Sequence, residues 1–210
     1  MSNQPLLSIL IPTLPERKAT TALLRARIAH QVTEFHCTLE DATNYQVEIL
    51  YDDSPRFLAG GLSIGKKREA LIKAATGKYV CFVDDDDTVF DGYIKGILEK
   101  LIHDADAVTF DALYVGGAFY CRINMDHNNP VNEQVSQNAT VRRTIWHICP
   151  IRASIAKSVP WDDINFDEDW QWLKKIIPLI KTSHHIDMTL YQYNESRNSE
   201  AQKINKEGFK

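Results

Sequence analysis

Four consecutive aspartates, Asp84, Asp85, Asp86 and Asp87, are the densest concentration of one chemistry in this 210-residue chain. Adjacent carboxylates repel one another. Solvent tolerates that repulsion, but the end of a buried strand does not unless a divalent cation or hydrogen-bond donors offset it. Magnesium or manganese, shared with phosphate oxygens, suits such an all-oxygen set; taken alone, the run equally suits a solvated acidic loop or a calcium site. Asp52, Asp53 and Ser54 form a second polar cluster, although Asp52 also fits a turn that it caps with Ser54. Glu168 and Asp169 form a third, suited to acid–base work and also to a helix N-terminus, where the macrodipole favours acidic residues. Lys66, Lys67 and Arg68 supply one basic stretch and Arg142 and Arg143 another, Arg68 being open to the plainer reading of a surface ion-pair partner. His147, His184 and His185 read as structural residues rather than metal ligands. Trp146, Trp161, Trp170 and Trp172 suit stacking on a ligand or packing in a core.

These clusters need elements to position them. Short runs rich in Ile, Val, Tyr and Phe alternate with helix-period segments through the first half, which predicts βαβ units and a largely parallel sheet. Residues 6–11 form the first strand, stopped by Pro12. Thr13 and Glu16 have capping-box spacing, and Ala19, Ala22, Leu23 and Ala26 recur at helical intervals. A strand over 46–51 delivers Asp52, and a helix carries Ile64, Arg68, Leu71, Ile72 and Ala75 on one stripe, with Gly77 placed to end it. A strand over 78–83 delivers the four aspartates, and a helix over 93–102 and a strand over 107–111 complete this half. In the second half, Gly116 and Gly117 join residues 113–115 to 118–123 in a hairpin. A polar loop follows over 124–140, then a strand over 144–148, a short helix near Ala153, a helix from Glu168 to about Ile177 stopped by Pro178, and a strand over 186–193. In an open parallel sheet, ligands bind beyond the carboxyl ends of the strands where strand order reverses, so Pro12 and Thr13, Asp52 to Ser54, and Asp84 to Asp87, which follow the first three strands, should line one crevice.

Composition bounds the rest. With 44% apolar residues, the chain can bury one core and reads as a single domain. No segment approaches the ~20 apolar residues of a membrane span. Cys37, Cys81, Cys121 and Cys149 lie far apart without a Cys-x-x-Cys pair, which fits a reducing cytoplasm. A net charge of −4 does not advertise a nucleic-acid or anionic-lipid partner.

Four motifs now occur in order: Ser8 through Pro12 and Thr13; Tyr51 through Ser54; Ser63, Gly65, Arg68 and Gly77 leading through a strand to Asp84–Asp87; and Asn165 through Glu168 and Asp169. Together they resemble the family 2 glycosyltransferases over roughly residues 6–193. The resemblance implies an α/β, A-type glycosyltransferase fold, with a mostly parallel central sheet, flanking helices and a small acceptor-side hairpin. Residues 6–111 would be the nucleotide-sugar half, 112–193 the acceptor half and 194–210 a polar tail. It implies that Pro12, Thr13, Asp52 and Asp53 meet the base and ribose of a donor, most often a UDP-sugar, and that Arg68 approaches the diphosphate. Asp84 and Asp85 would contact ribose or metal. Asp86 would be the principal ligand of Mn2+ or Mg2+, with Asp84 as a second. Asp169 would be the general base and Glu168 would position acceptor or sugar, with inversion at the anomeric carbon. The sequence departs from the family pattern at Asp53, where many members carry Gly before the Ser, and at Glu69, where Asn is common. Saccharide acceptors and a hydroxymethylated pyrimidine in DNA both stay open, as does a domain that binds nucleotide sugar or glycan without turnover. A nucleotidyltransferase lacks support, because no Gly-rich phosphate loop with a following Lys stands near the first strand.

Overall fold

A computed structural model describes residues 4–38, 45–55, 61–116, 119–129 and 140–195. At its centre is β1 (Leu7–Pro12), an apolar run with all six residues buried. It pairs in parallel with β2 (Val47–Asp52) on one side and β3 (Tyr79–Phe82) on the other. The chain leaves β1 toward β2 and then returns past it to β3. The strand order therefore reverses at β1, which is the condition for a ligand crevice at the carboxyl ends of these strands. β5 (Ala107–Gly116) and β6 (Phe119–Met125) form the hairpin, β7 (Thr140–Arg143) lies parallel to β6, and short β8 (Ile151–Arg152) bridges β3 and β5. β9 (Ser183–Asn194) runs parallel to β5 and pairs at its far end with β4 (Thr88–Val89), which follows the aspartates. Most paired residues run parallel. Helices α1 (Lys18–Cys37), α2 (Ile64–Ala74) and α3 (Tyr93–Leu101) flank the sheet, with the shorter α4 (Ala153–Ala156) and α5 (Glu168–Ile176) in the second half. Among the described residues, no helix is long and apolar enough to cross a membrane.

Several expectations are corrected. Thr13 does not cap α1; a 3-10 turn, Pro15–Arg17, comes first, and α1 starts at Lys18 with no side-chain cap. The expected stripe of Ala19, Ala22, Leu23 and Ala26 faces outward, with Leu23 73% exposed. The buried face is instead Thr21, Leu24, Ile28, Gln31 and Phe35. Alanine favours helix wherever it points, so its spacing carries no face information, whereas burial of Leu, Ile and Phe does. Gly77 does not end α2, which stops at Ala74. A Cβ there would lie 2.5 Å from Ser8 Oγ, and the Gly77 N–H donates to that oxygen. The strands expected over 107–111 and 113–115 are one strand, β5. The strand expected over 144–148 is absent: residues 144–150 are a buried irregular segment between β7 and β8. Strand N–H groups reach it singly, Phe82 at His147 O and Val108 at Pro150 O, while the Cys149 N–H turns back to Trp146 O. Of the expected loop over 124–140, Asp126 to Asn129 form a turn and 130–139 lie outside the described residues, as does the tail beyond 195. α5 ends at Ile176, and Pro178 sits in a following 3-10 turn.

Candidate active site

The aspartate run forms a tight turn after β3, closed by the Asp87 N–H donating to Asp84 O, and its four side chains diverge. Asp84 accepts from Arg68 Nη2 at 2.9 Å and lies 3.1 Å from His147 Nε2. Its own N–H donates to the Tyr191 hydroxyl. Asp85, buried, accepts from Thr13 Oγ1 at 2.6 Å and from Arg17 Nη1 at 2.5 Å. Asp87, also buried, accepts from the Tyr191 hydroxyl and the Asn194 N–H, which ties the end of β9 to the turn. Asp86 alone faces outward, its side chain 38% exposed and 3.5 Å from Arg17. Burial opposes ionisation of Asp84, but the charges of Arg68 and His147 outweigh it and hold the carboxyl well below the usual range. Asp86 is pushed up to about 6 by burial and by repulsion from Asp84, with Arg17 opposing. Asp87 is pushed up to about 8 by burial and Asp84.

Glu168 and Asp169 arrive from the other direction, on the first turn of α5. Asp167, just before them, sits in the left-handed region at φ 62°. The preceding strap lies across the start of α2: Ser63 Oγ donates to Asp163, the Ile64 N–H to Asn165 Oδ1, and the Gly65 N–H to Ile164 O. The approach is so close that a Cβ on Gly65 would lie 2.0 Å from Asp162 O. Gly65→Ala is therefore expected to destabilise the fold by about 1–3 kcal/mol, through displacement of the strap; the urea midpoint would show it. One helical turn beyond Gly65, Arg68 is only 5% exposed; its Nε donates to Glu168 at 3.2 Å while Nη2 holds Asp84. His147, also buried, makes the second link. Its Nε2 faces Asp84 and its Nδ1 lies 3.1 Å from Asp169 Oδ2, off the line of a good hydrogen bond. Trp146 Nε1 donates to the same Asp169 oxygen at 3.1 Å. Burial would raise Asp169, yet the imidazole of His147 close beside it and the charge of Arg68 hold it well below the ordinary range. Glu168 is raised by burial, with Arg68 opposing. His147 is disfavoured as a cation by burial and by Arg68, but the two carboxylates on either side raise it above its ordinary value.

At the first two strand ends, the Thr13 N–H donates to Asp52 O. Asp52 Oδ1 accepts the Ser54 N–H at 2.9 Å, the turn-capping geometry. Pro12 is buried at the end of β1, and Asp53 is exposed after β2. Lys67 is buried across both ends, donating to Thr13 O at 2.6 Å and to Ser54 O. The structure thus brings Thr13, Asp84, Asp85, Arg68, Glu168 and Asp169 into one connected network, with Asp86 on its open side, while Pro12 and Asp52 join it through backbone and Asp53 makes no side-chain contact with it. Arg17, Lys67, Trp146, His147 and Tyr191 belong to the network without having been singled out for it. Arg17 falls in the expected first helix, and His147 and Trp146 in an expected strand, where neither spacing nor type distinguishes them.

Among the described residues, a separate group, Asp111, His185 and Asp187, places one ligand atom each within 4.8 Å of the others. Arg122 already donates to Asp111 and Asp187, and Asn124 to Asp111, so positive charge is supplied there by the chain itself.

An open, mostly parallel sheet with aspartates at the carboxyl end of the strand beside the switch point, and a second carboxylate pair facing them, is the architecture of the A-type glycosyltransferases. The chain belongs to glycosyl transferase family 2, whose sequence profile matches residues 8–159. Its fold is similar to that of S. aureus TarS 1-349 in complex with UDP-GlcNAc, with a TM-score of 0.58 at 15% identity over 93% of this chain. The same TarS fragment in complex with UDP gives 0.54 at 17% identity over 90%. This chain spans 60% of either TarS chain. No curated protein matches the sequence.

Proposed function

We infer that this domain transfers a sugar from a nucleotide-sugar donor, of the UDP class, to a hydroxyl acceptor with inversion, and that it does so with a bound divalent cation. The observation that supports this most is the pairing of two carboxylate sets across the switch point, joined by Arg68 and His147. TarS supports the donor class, since it is known in complex with UDP-GlcNAc and with UDP.

The residues fit a hard cation. Asp86 faces outward from an all-oxygen cluster and is raised by burial and then by repulsion from Asp84, an environment that Mg2+ or Mn2+ would relieve. Both oxygens of Asp84 already have partners, so Asp86 would be the principal ligand, with Asp84 contributing through its remaining lone pairs. When bound, the cation neutralises charge that gathers on the leaving diphosphate. Arg68 is buried beneath the site and acts by holding Asp84 and Glu168 in place. Arg17 is one-quarter exposed and lies beside Asp86, so it is the cation that meets the diphosphate. Thr13, Pro12, Asp52 and Asp53 frame the base and ribose at the ends of β1 and β2. Asp169 accepts the acceptor hydroxyl proton, on the face opposite the leaving group, with Glu168 beside it.

Melting temperature with UDP, with and without Mn2+, tests the reading. A manganese-dependent rise of about 5–10 °C at a hundredfold excess over Kd is expected. No rise with any nucleoside diphosphate would support a domain without turnover instead. Arg17→Gln should weaken UDP binding in the presence of Mn2+ by about tenfold, measured calorimetrically.

A further inference from the structure

Arg143, the last residue of β7, stands apart from the other cations around the site. Arg17, Arg68 and His147 each face carboxylates. The Arg143 guanidinium instead lies over the Trp146 ring, 4.0 Å from its centroid, and among the described residues it meets no carboxylate and no other hydrogen-bond acceptor. Its exposure is intermediate, and burial lowers its pKa from the ordinary arginine value. A partly desolvated cation that lies on an aromatic face, with the Asp169 charge acting on it through space rather than by contact, leaves its planar donor fork unused, and that fork matches the paired oxygens of a phosphate or carboxylate. The position is informative. Trp146 carries Arg143 on its face and donates its indole N–H to Asp169 at 3.1 Å. The guanidinium is therefore one indole ring away from the proposed base. Tyr193 lies 5.1 Å from Trp146 and stacks on Tyr114 at 5.7 Å, extending an aromatic wall from the same point.

On the reading of Asp169 as the base, we propose that Arg143, seated on Trp146, is an anion subsite for the acceptor, which carries a phosphate or carboxylate group close to the hydroxyl that attacks. A neutral saccharide would leave the guanidinium unpaired. An anionic acceptor engages it through two hydrogen bonds, and Trp146 fixes the span from that anion to Asp169.

The test measures calorimetric binding of matched probes to the whole chain, with the donor site first saturated by UDP and Mn2+ so that anions do not enter there. Glycerol phosphate against glycerol examines phosphate; glucuronate against glucose examines carboxylate. The wild type is expected to bind at least one anionic probe about tenfold or more tightly than its neutral match. Arg143→Gln should abolish that preference, and Arg143→Lys should restore part of it by keeping charge without the fork. Equal affinity for charged and neutral probes in wild type, or a preference that survives Arg143→Gln, overturns the subsite. UDP affinity measured in parallel separates this from the transfer reading. A wild type that binds UDP but shows no anion preference refutes the subsite alone. A wild type that fails to bind UDP, yet loses its anion preference with Arg143→Gln, refutes the donor reading and retains the subsite.

Discussion

Asp169→Asn is expected to lower the rate of sugar transfer by about a thousandfold, within the range that a general base contributes, while UDP affinity changes by less than about twofold. The amide keeps the shape of the side chain, but its single oxygen can accept from only one of the Trp146 indole and the Trp170 N–H, which bond opposite oxygens of the carboxylate. It cannot take a proton. His147 also loses one of the two carboxylates that hold it as a cation, so the acceptor half loosens slightly while the Arg68 links to Asp84 and Glu168 stay intact. The pH dependence of stability follows from the sign of the shift. Asp169 is depressed in the folded state, so its contribution is present above the unfolded carboxyl value and is lost as pH falls through the folded one. The stability difference between wild type and Asp169→Asn should therefore be largest in mild acid, fall in part as pH rises through the raised His147 value, and shrink again in strong acid. The depressed value also means that Asp169 is ionised across the neutral range, so any acid limb in the rate between pH 5 and 8 belongs to another group. Single-turnover rates beside calorimetric UDP titrations would decide the matter. Full transfer by the variant, under conditions where chemistry limits the wild type, would assign the base elsewhere.

The strand ends of the first half were more legible in the sequence than the second half, for physical reasons. β1 and β3 are fully buried on both faces, so their apolar runs and the polar residues that end them mark strand and crevice together. The order of motifs from Ser8 to Asp169 then carried the fold. Side-chain partnerships were harder to see. Thr13 and Glu16 have capping-box spacing, but Pro15 starts a 3-10 turn and frees the Thr13 hydroxyl for Asp85. Lys67 and Arg68 are neighbours in a basic stretch that looks like surface, yet both are buried because α2 turns them inward toward strand-end carbonyls and carboxylates. His147 lies in an irregular segment with neither helical nor strand period, and its role depends on Asp84 and Asp169, 63 and 22 positions away in sequence. Contacts of that separation leave no local pattern.

Asp86→Asn should remove manganese-dependent UDP stabilisation and, with the same change, make the ligand-free protein more stable near neutral pH. Among the described residues Asp86 makes no strong ion pair, since its one cationic neighbour there, Arg17, is 3.5 Å away and closer to Asp85. Its carboxyl is raised from 3.8 to about 6 by burial and by Asp84. A carboxyl raised on folding contributes stability that is fully present below the unfolded value and is lost as pH rises through the folded one. At pH 7.5 the ionised group is therefore a cost. Because the side chain is more than one-third exposed, screening reduces that cost to about 1 kcal/mol or less, which corresponds to a rise of at most about 2–4 °C on substitution. The gain should vanish near pH 4, where wild-type Asp86 is itself protonated. Differential scanning fluorimetry at both pH values, with and without UDP and Mn2+, reads both effects in one experiment. A variant that is less stable at pH 7.5 would show that Asp86 supports the turn rather than straining it. A variant that keeps the full manganese-dependent shift would place the metal on other ligands. The expected pair, greater stability with loss of the ligand response, is what a carboxylate retained for cation binding at the expense of the empty fold should show.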